Sequence, residues 1–126
     1  MSEPATPTLR EMEILKVLWE EGPSSVRDVY RRLAEGEDLA YNTVQTLLRI
    51  MEEKGLVEHR TDGRAFIYTP LYSREQSVRG FLDRVFDGAA EQLVMTLLKA
   101  ERLSVDELER LQALIQSARK KKQQQA

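Results

Sequence analysis

Apolar residues recur at helical spacing in the stretch from Tyr41 to Gly55. Four of them follow the i, i+3, i+4, i+7 pattern of one helix face, namely Val44, Leu47, Leu48 and Met51. At ~100° per residue, the remaining faces carry short or fork-shaped polar groups. These are Asn42, Thr43, Gln45, Thr46 and Arg49. Such side chains suit hydrogen bonding in a DNA major groove, although on this pattern alone an ordinary solvated amphipathic helix is the commoner interpretation.

Two shorter helices are predicted before this stretch. Thr8 with Glu11 matches a capping box that begins the first helix, and Gly22-Pro23 ends it. Its predicted core-facing stripe is Leu9, Met12, Leu15, Leu18 and Trp19. Ser24 or Ser25 then begins a second helix with Arg27, Arg31 and Arg32 on its outer side. Residues 36–39 then form a predicted turn into the central helix. A short helix joined by a tight turn to an amphipathic helix that is polar on one face is typical of a helix-turn-helix.

A two-stranded hairpin is predicted after the central helix. Residues 56–60 and 65–69 alternate as strands do, and Asp62-Gly63 between them favours a tight turn. Three helices followed by a hairpin is the winged-helix order, with residues 59–65 as the wing. Arg60 and Arg64 flank the tip of the wing, where a phosphate backbone would lie.

Three more amphipathic helices are predicted in the last third of the chain. Ser73 with Gln76 and Ser104 with Glu107 match further capping boxes. About 50 residues bury a poor core alone, so we expect a homodimer joined through residues 73–118. Packing back onto the winged domain is the alternative. The predicted dimerisation residues are Val78, Phe81, Leu82, Val85, Leu93, Leu97, Leu108 and Leu111.

The fold class expected from these patterns is mainly α. A winged helix-turn-helix of three helices and a two-stranded β-wing precedes a helical dimerisation domain. The predicted divisions are a disordered tail at 1–7, the winged-helix domain at 8–71, the dimerisation domain at 72–118 and a basic tail at 119–126. No segment is a signal peptide or long enough to span a membrane, so we expect a cytoplasmic protein.

Composition restricts the chemistry. The chain has no cysteine and a single histidine, His59, which is too few groups for a catalytic triad or a zinc site. We therefore predict no enzymatic activity, no cofactor and no metal, and expect His59 to be a phosphate contact or a surface residue. The net charge is −2, and residues 1–71 hold 9 Lys and Arg against 13 Asp and Glu. DNA binding consequently requires that the charges be segregated in space, because the local potential governs contact.

Three segments resemble the penicillinase-repressor (BlaI/MecI/CopY) family of winged-helix transcription regulators. They are residues 43–49 with 53–57, residues 63–68, and residues 85–88 with 93–94 and 103–111. The resemblance covers about residues 8 to 117. It implies a homodimeric repressor of palindromic, double-stranded operator DNA, with helix 41–54 in the major groove and the wing on the backbone. It assigns groove contacts to Asn42, Thr43, Gln45 and Thr46 and backbone contacts to Arg60 and Arg64, while Arg49 is added by the helical-face argument.

Two departures from the family concern how repression is relieved. The antibiotic-resistance members are cleaved at an Asn-Phe bond, and the corresponding pair here is Thr96-Leu97. This difference argues against release at that site by a membrane sensor peptidase. The copper-responsive members carry a C-terminal cysteine cluster, and without cysteine no thiolate copper or zinc sensing is possible. A ligand-sensing regulator and a winged helix used for protein–protein contact are the alternatives left open, and the latter would explain the acidic first half.

Overall fold

The computed structural model describes residues 6–125. Its helices are α1 (Leu9–Glu21), α2 (Val26–Leu33), α3 (Tyr41–Glu53), α4 (Arg74–Phe86), α5 (Ala90–Lys99) and α6 (Val105–Gln125). Its strands are β1 (Ser24–Ser25), β2 (Val57–Asp62) and β3 (Ala65–Pro70). Contacts divide the chain into two units, one ending at Gly80 and one beginning at Phe81. The predicted mainly helical class with an N-terminal winged helix is confirmed.

The core of the N-terminal unit lies among α1, α2, α3 and the sheet. Thirteen apolar residues are buried there, including all but one of the predicted α3 stripe, and Leu47 packs partly buried beside them. The predicted stripe of α1 was wrong at Leu9, which is 88% exposed, while the unpredicted Ile14 and Val17 are buried. The reason is that α2, α3 and β3 all contact α1. Together they cover a wide arc of the helix surface at the middle of α1, but they do not cover its first residue.

The sheet has one strand more than the predicted hairpin. Strand order is β1-β3-β2, all antiparallel, and Ser24 in β1 pairs with Tyr68 in β3. Two serines carry no apolar alternation, so the sequence offered no signal for β1. The hairpin itself is confirmed. Asp62 pairs with Ala65, and Gly63 takes the positive φ of 63° that a two-residue loop requires.

All three predicted capping boxes are present. At α1, the amide of Glu11 donates to Thr8 Oγ1 (3.2 Å) and the amide of Thr8 donates to Glu11 Oε1 (2.9 Å). The reciprocal pairs also begin α4, between Ser73 and Gln76, and α6, between Ser104 and Glu107. For α2 the structure selects Ser25 over Ser24, because Ser25 exchanges hydrogen bonds with Asp28. Each box satisfies amides that the first helical turn leaves free.

The C-terminal unit contains α5, α6 and the end of α4. Neither α5 nor α6 buries a residue, and the predicted apolar stripes are exposed on both except at the half-buried Leu93. The division between the two units falls inside α4, and within the N-terminal unit Ser77 Oγ contacts Met12 Sδ of α1 (3.9 Å). Helix α6 runs through the predicted basic tail to Gln125. Residues 1–5 of the predicted N-terminal tail lie outside the described residues.

Candidate nucleic-acid interface

Helix α3 is anchored by its apolar face and leaves its polar face exposed. Val44, Leu48 and Met51 are fully buried. The five polar residues predicted as DNA contacts are all exposed: Asn42, Thr43, Gln45, Thr46 and Arg49. The apolar face of α3 is therefore directed to the core and its polar face to solvent, as a helix that reads a DNA groove requires. The donors and acceptors of all five polar residues are available on the exposed face.

The end of α3 is defined by its backbone and by a buried ion pair. Gly55 has a φ of 80°, and the Leu56 amide donates to the Met51 carbonyl (2.9 Å), which completes a Schellman motif. Lys54 Nζ lies 2.9 Å from both carboxylate oxygens of Glu11 in α1. Burial by itself raises the pKa of Glu11, but the Thr8 amide and the Lys54 ammonium outweigh it and hold that pKa below its usual value. The C-terminal end of α3 is thus tied to the start of α1.

The wing is joined to α3 through His59. The His59 amide donates to Glu52 Oε2 (3.2 Å), and His59 Nδ1 lies 2.6 and 2.8 Å from the two carboxylate oxygens of Glu52. The imidazole also stacks on Phe66, with ring centroids 4.2 Å apart, and lies 5.6 Å from the Tyr68 ring. His59 was expected to be a phosphate contact or a surface residue. In the structure it is an exposed residue whose imidazole contacts Glu52 and Phe66.

Near the tip of the wing, an open depression of about 590 Å³ is lined by residues of α2, α3, all three strands and the hairpin loop. Two predicted contacts, Gln45 of α3 and Arg64 of the hairpin loop, lie on it together. It also includes Arg27 at the start of α2 and Tyr41 at the start of α3, neither of which the sequence assigned to the site. The helical pattern placed Arg27 on an outer face, but only the fold shows that this face meets the wing.

Arg60 does not line this depression. It is exposed on β2 and pairs with Ile67, and successive strand residues point to opposite faces. Since His59 faces α3, Arg60 lies on the other face of the hairpin. The two predicted wing arginines therefore do not line the same depression.

Some carboxylates of the N-terminal unit are paired with cations. Arg32 pairs with Glu20 and Glu21, Arg10 with Glu13 and Glu37, and Lys54 with Glu11. By contrast, five exposed arginines of α2, α3 and the wing have no carboxylate of residues 6–125 within 4.0 Å. These are Arg27, Arg31, Arg49, Arg60 and Arg64. A net acidic unit thus keeps unpaired cations on α2, α3 and the wing, where Glu58 and Asp62 of β2 are also exposed and unpaired.

The predicted dimerisation residues are mostly exposed in the single chain. Val78 and Val85 are 55% exposed, and Leu97 is 46% exposed. Phe81, Leu108 and Leu111 are exposed to a similar degree, whereas Leu82 and Leu93 are half-buried. Exposed apolar side chains repeated along three helices are typical of surfaces that a second protein surface covers.

Two kinds of site are absent from the part of the chain that the structure describes. No group of three or more His, Cys, Asp or Glu residues within 6–125 is arranged to hold a metal ion. Within the same range, no helix combines the length and apolar character needed to cross a membrane.

Comparison with known proteins gives one consistent result. Residues 7–117 match the Penicillinase repressor family. The "Penicillinase repressor" of Bacillus licheniformis is 26% identical over 118 residues, covering 90% of this chain and 92% of that protein. The "Transcriptional regulator BlaI" of Mycobacterium tuberculosis is 33% identical over 106 residues, covering 80% and 76%. The solution structure of monomeric Bacillus licheniformis BlaI with the blaP half-operator has a TM-score of 0.51 and 28% identity, covering 60% of this chain and 93% of that one.

Proposed function

The chain belongs to the penicillinase repressor family of winged-helix DNA-binding repressors, and from this premise we propose that it represses transcription as a homodimer on palindromic operators. Helix α3 enters the major groove, and the wing lies on the phosphate backbone. The observation that carries the proposal is the exposed polar face of α3, with unpaired arginines on α2, α3 and the wing. Arg27 and Tyr41 extend the proposed contact surface beyond the residues predicted from the sequence.

The homodimer is supported by the uncovered apolar side chains of the C-terminal unit. Leu97, Leu98 and Leu108 are each 40% exposed or more, and no residue of α5 or α6 is buried. At about 25 cal/mol per Å² of apolar surface, covering these stripes with an identical copy is strongly favourable. A two-fold axis between the copies would place two α3 helices on half-sites about one helical turn, or a multiple, apart.

We further propose that the protein acts in the cytoplasm, where operator DNA is found, and that it has no enzymatic activity. Its one histidine is taken up by Glu52 and Phe66, so it is not directed into a cavity. The Thr96-Leu97 pair lies inside α5, where Thr96 Oγ1 donates to the Gln92 carbonyl (2.8 Å). Release by a sensor peptidase at that bond is not part of the proposal, because an intact helical turn does not offer the peptide bond in extended form.

The first test replaces arginines one at a time and measures affinity for duplexes selected by the wild-type protein. Arg49→Ala is expected to cost about 1–3 kcal/mol and to relax sequence preference, because it removes a base contact. Arg64→Ala is expected to weaken all sequences alike and to reduce the slope of log affinity against log salt by about one phosphate contact. Arg32→Ala is the matched control, since its guanidinium is already paired with Glu20 (2.9 Å).

If the domain served only protein–protein contact, none of these substitutions would alter DNA binding. The wild-type protein would then bind no duplex at moderate salt. That result would contradict the proposed function. If Arg32→Ala weakened DNA binding as much as Arg64→Ala does, the assignment of DNA contact to the exposed face of α3 and the wing would be contradicted.

A further inference from the structure

His59 and Glu52 form a contact that the proposed DNA interface does not itself use. The Glu52 carboxylate, in the last turn of α3, accepts from both the backbone amide and the imidazole of His59 on β2. On the other side, the imidazole stacks on Phe66 at 4.2 Å, with 23° between the ring planes. A single side chain therefore links the recognition helix to both strands of the wing.

This contact controls a geometric relation that DNA binding depends on. Arg64 sits in a two-residue loop at the end of β2, five residues beyond His59. Strand β1 pairs with β3 only at Ile67 and Tyr68, so the part of the hairpin nearer its tip depends on other contacts for its angle relative to α3. Among residues 6–125, the His59–Glu52 contact is the one side-chain hydrogen bond that joins α3 to the wing. The groups facing the imidazole are Glu52 of α3 and the rings of β3.

We propose that Glu52 and His59 are positioning residues, which hold the wing at the angle that lets Arg64 and the polar face of α3 engage one duplex together. The inference rests on the proposed function, since it concerns the same interface. It differs from the expectation that His59 touches phosphate, because here the imidazole acts through the wing and touches no DNA. The carboxylate of Glu52 is thereby hydrogen-bonded to the wing.

The deciding experiment is a double-mutant cycle on the full-length protein, with duplexes enriched from a random pool by the wild type as the probe. Arg64→Ala is expected to reduce affinity about threefold to tenfold, through the loss of one phosphate contact. His59→Ala should reduce it by a similar factor, because the wing is then misplaced. The double variant His59→Ala/Arg64→Ala should be within about twofold of either single variant, since residues acting as one unit are not additive. Thr46→Ala, on α3, should combine additively with His59→Ala.

A second pair of variants separates hydrogen bonding from charge. Glu52→Gln and Glu52→Ala remove the same negative charge, but only the glutamine can still accept from the His59 amide. Glu52→Gln is expected to bind at least as well as the wild type, and Glu52→Ala to be about threefold to tenfold weaker than Glu52→Gln. Circular dichroism melting of every variant shows whether the fold is intact. If His59→Ala does not fold, the two Glu52 variants decide the matter alone.

The outcomes are distinguishable. Additive losses for His59→Ala and Arg64→Ala, with equal binding by the two Glu52 variants, would show that His59 contacts DNA directly and would overturn the inference alone. No loss with Arg64→Ala would overturn it as well, since there would be no wing contact to position. Failure of the wild-type protein to enrich any duplex would overturn the proposed function and, with it, this inference.

Discussion

Leu48 in α3 and Leu97 in α5 both belong to amphipathic helices, yet the first is fully buried and the second is 46% exposed. The same contrast holds for the units that contain them. The N-terminal unit buries thirteen apolar residues among three helices and a sheet, whereas α5 and α6 bury none. An apolar stripe therefore predicts a helix equally well in both units, but it does not say whether the covering surface comes from the same chain.

The two units also differ in what stabilises them. The winged unit has its own core, so its stability should not depend on protein concentration. The stripes of the C-terminal unit become buried only when another surface meets them, so their contribution should depend on protein concentration. Each prediction below concerns a substitution in one of the two units, and the substitution with the largest expected effect comes first.

Truncating Leu48 to Ala should destabilise the protein by about 2–5 kcal/mol, because it leaves a cavity in a closed core. The loss should be the same at low and high protein concentration. The measurement is chemical unfolding followed by circular dichroism at two concentrations. Leu9→Ala is the matched control, since Leu9 is 88% exposed and its truncation should change stability by less than about 0.5 kcal/mol. Equal losses for the two leucines would mean that the core of α1 was assigned wrongly.

Much of this fold was predictable because it depends on local chemistry. The capping boxes at Thr8, Ser73 and Ser104 and the turn at Gly63 involve residues at most three positions apart, so the sequence specifies them directly. The exposure of Leu9 and the strand β1 were missed for the opposite reason. Both depend on which distant segment lies alongside, a tertiary fact that neither helical spacing nor strand alternation encodes.

Replacing Leu97 with Asp tests whether the apolar stripes of the C-terminal unit join two copies of the chain. A charge within the apolar stripe should prevent association, so sedimentation velocity should show half the mass of the wild-type species. Affinity for a full palindromic duplex should fall by about 100-fold or more, because the second half-site is no longer reached by a tethered copy. Affinity for a single half-site should change little.

The matched control is Gln92→Asp, which adds the same charge to the opposite side of α5. It should leave both mass and affinity unchanged. A monomeric wild-type protein, or an unaltered mass with Leu97→Asp, would show that these stripes do not join two copies and would remove the basis for a palindromic operator.

The candidate site was predictable to the extent that it lies on one helix. The spacing of α3 placed Asn42, Thr46 and Arg49 on an exposed face, as the structure has them. The sequence did not assign Arg27 and Tyr41, because they reach the same depression from the starts of two different helices. The sequence described His59 only as a surface or phosphate-contacting residue. It did not predict the contact with Glu52, because Glu52 is seven positions away across a helix end and a turn.

The smallest expected effect concerns the charge that the N-terminal unit does bury, a feature that α5 and α6 lack. Glu11 is 1% exposed and accepts from Lys54 at 2.9 Å with both oxygens. Replacing Lys54 with Met leaves that carboxylate buried without its cation. The expected cost at neutral pH is about 2–3 kcal/mol, less than for a fully enclosed pair because Lys54 remains partly exposed. Arg10→Met, in the helix that contains Glu11, is the control. The ion pairs of Arg10 are exposed, so their loss should change the stability little.

The sign of the pH dependence follows from the pKa of Glu11, which folding lowers below its usual value. The wild-type protein therefore gains stability from Glu11 above the unfolded pKa and loses it as pH falls through the folded pKa. Without Lys54, burial favours the protonated acid, so the variant should differ most from the wild type at neutral pH and least in acid. Urea unfolding at about pH 7 and about pH 3.5 measures both differences. A gap that stayed constant between the two pH values would show that Lys54 stabilises the junction of α1 and α3 by packing of its alkyl chain rather than by its charge.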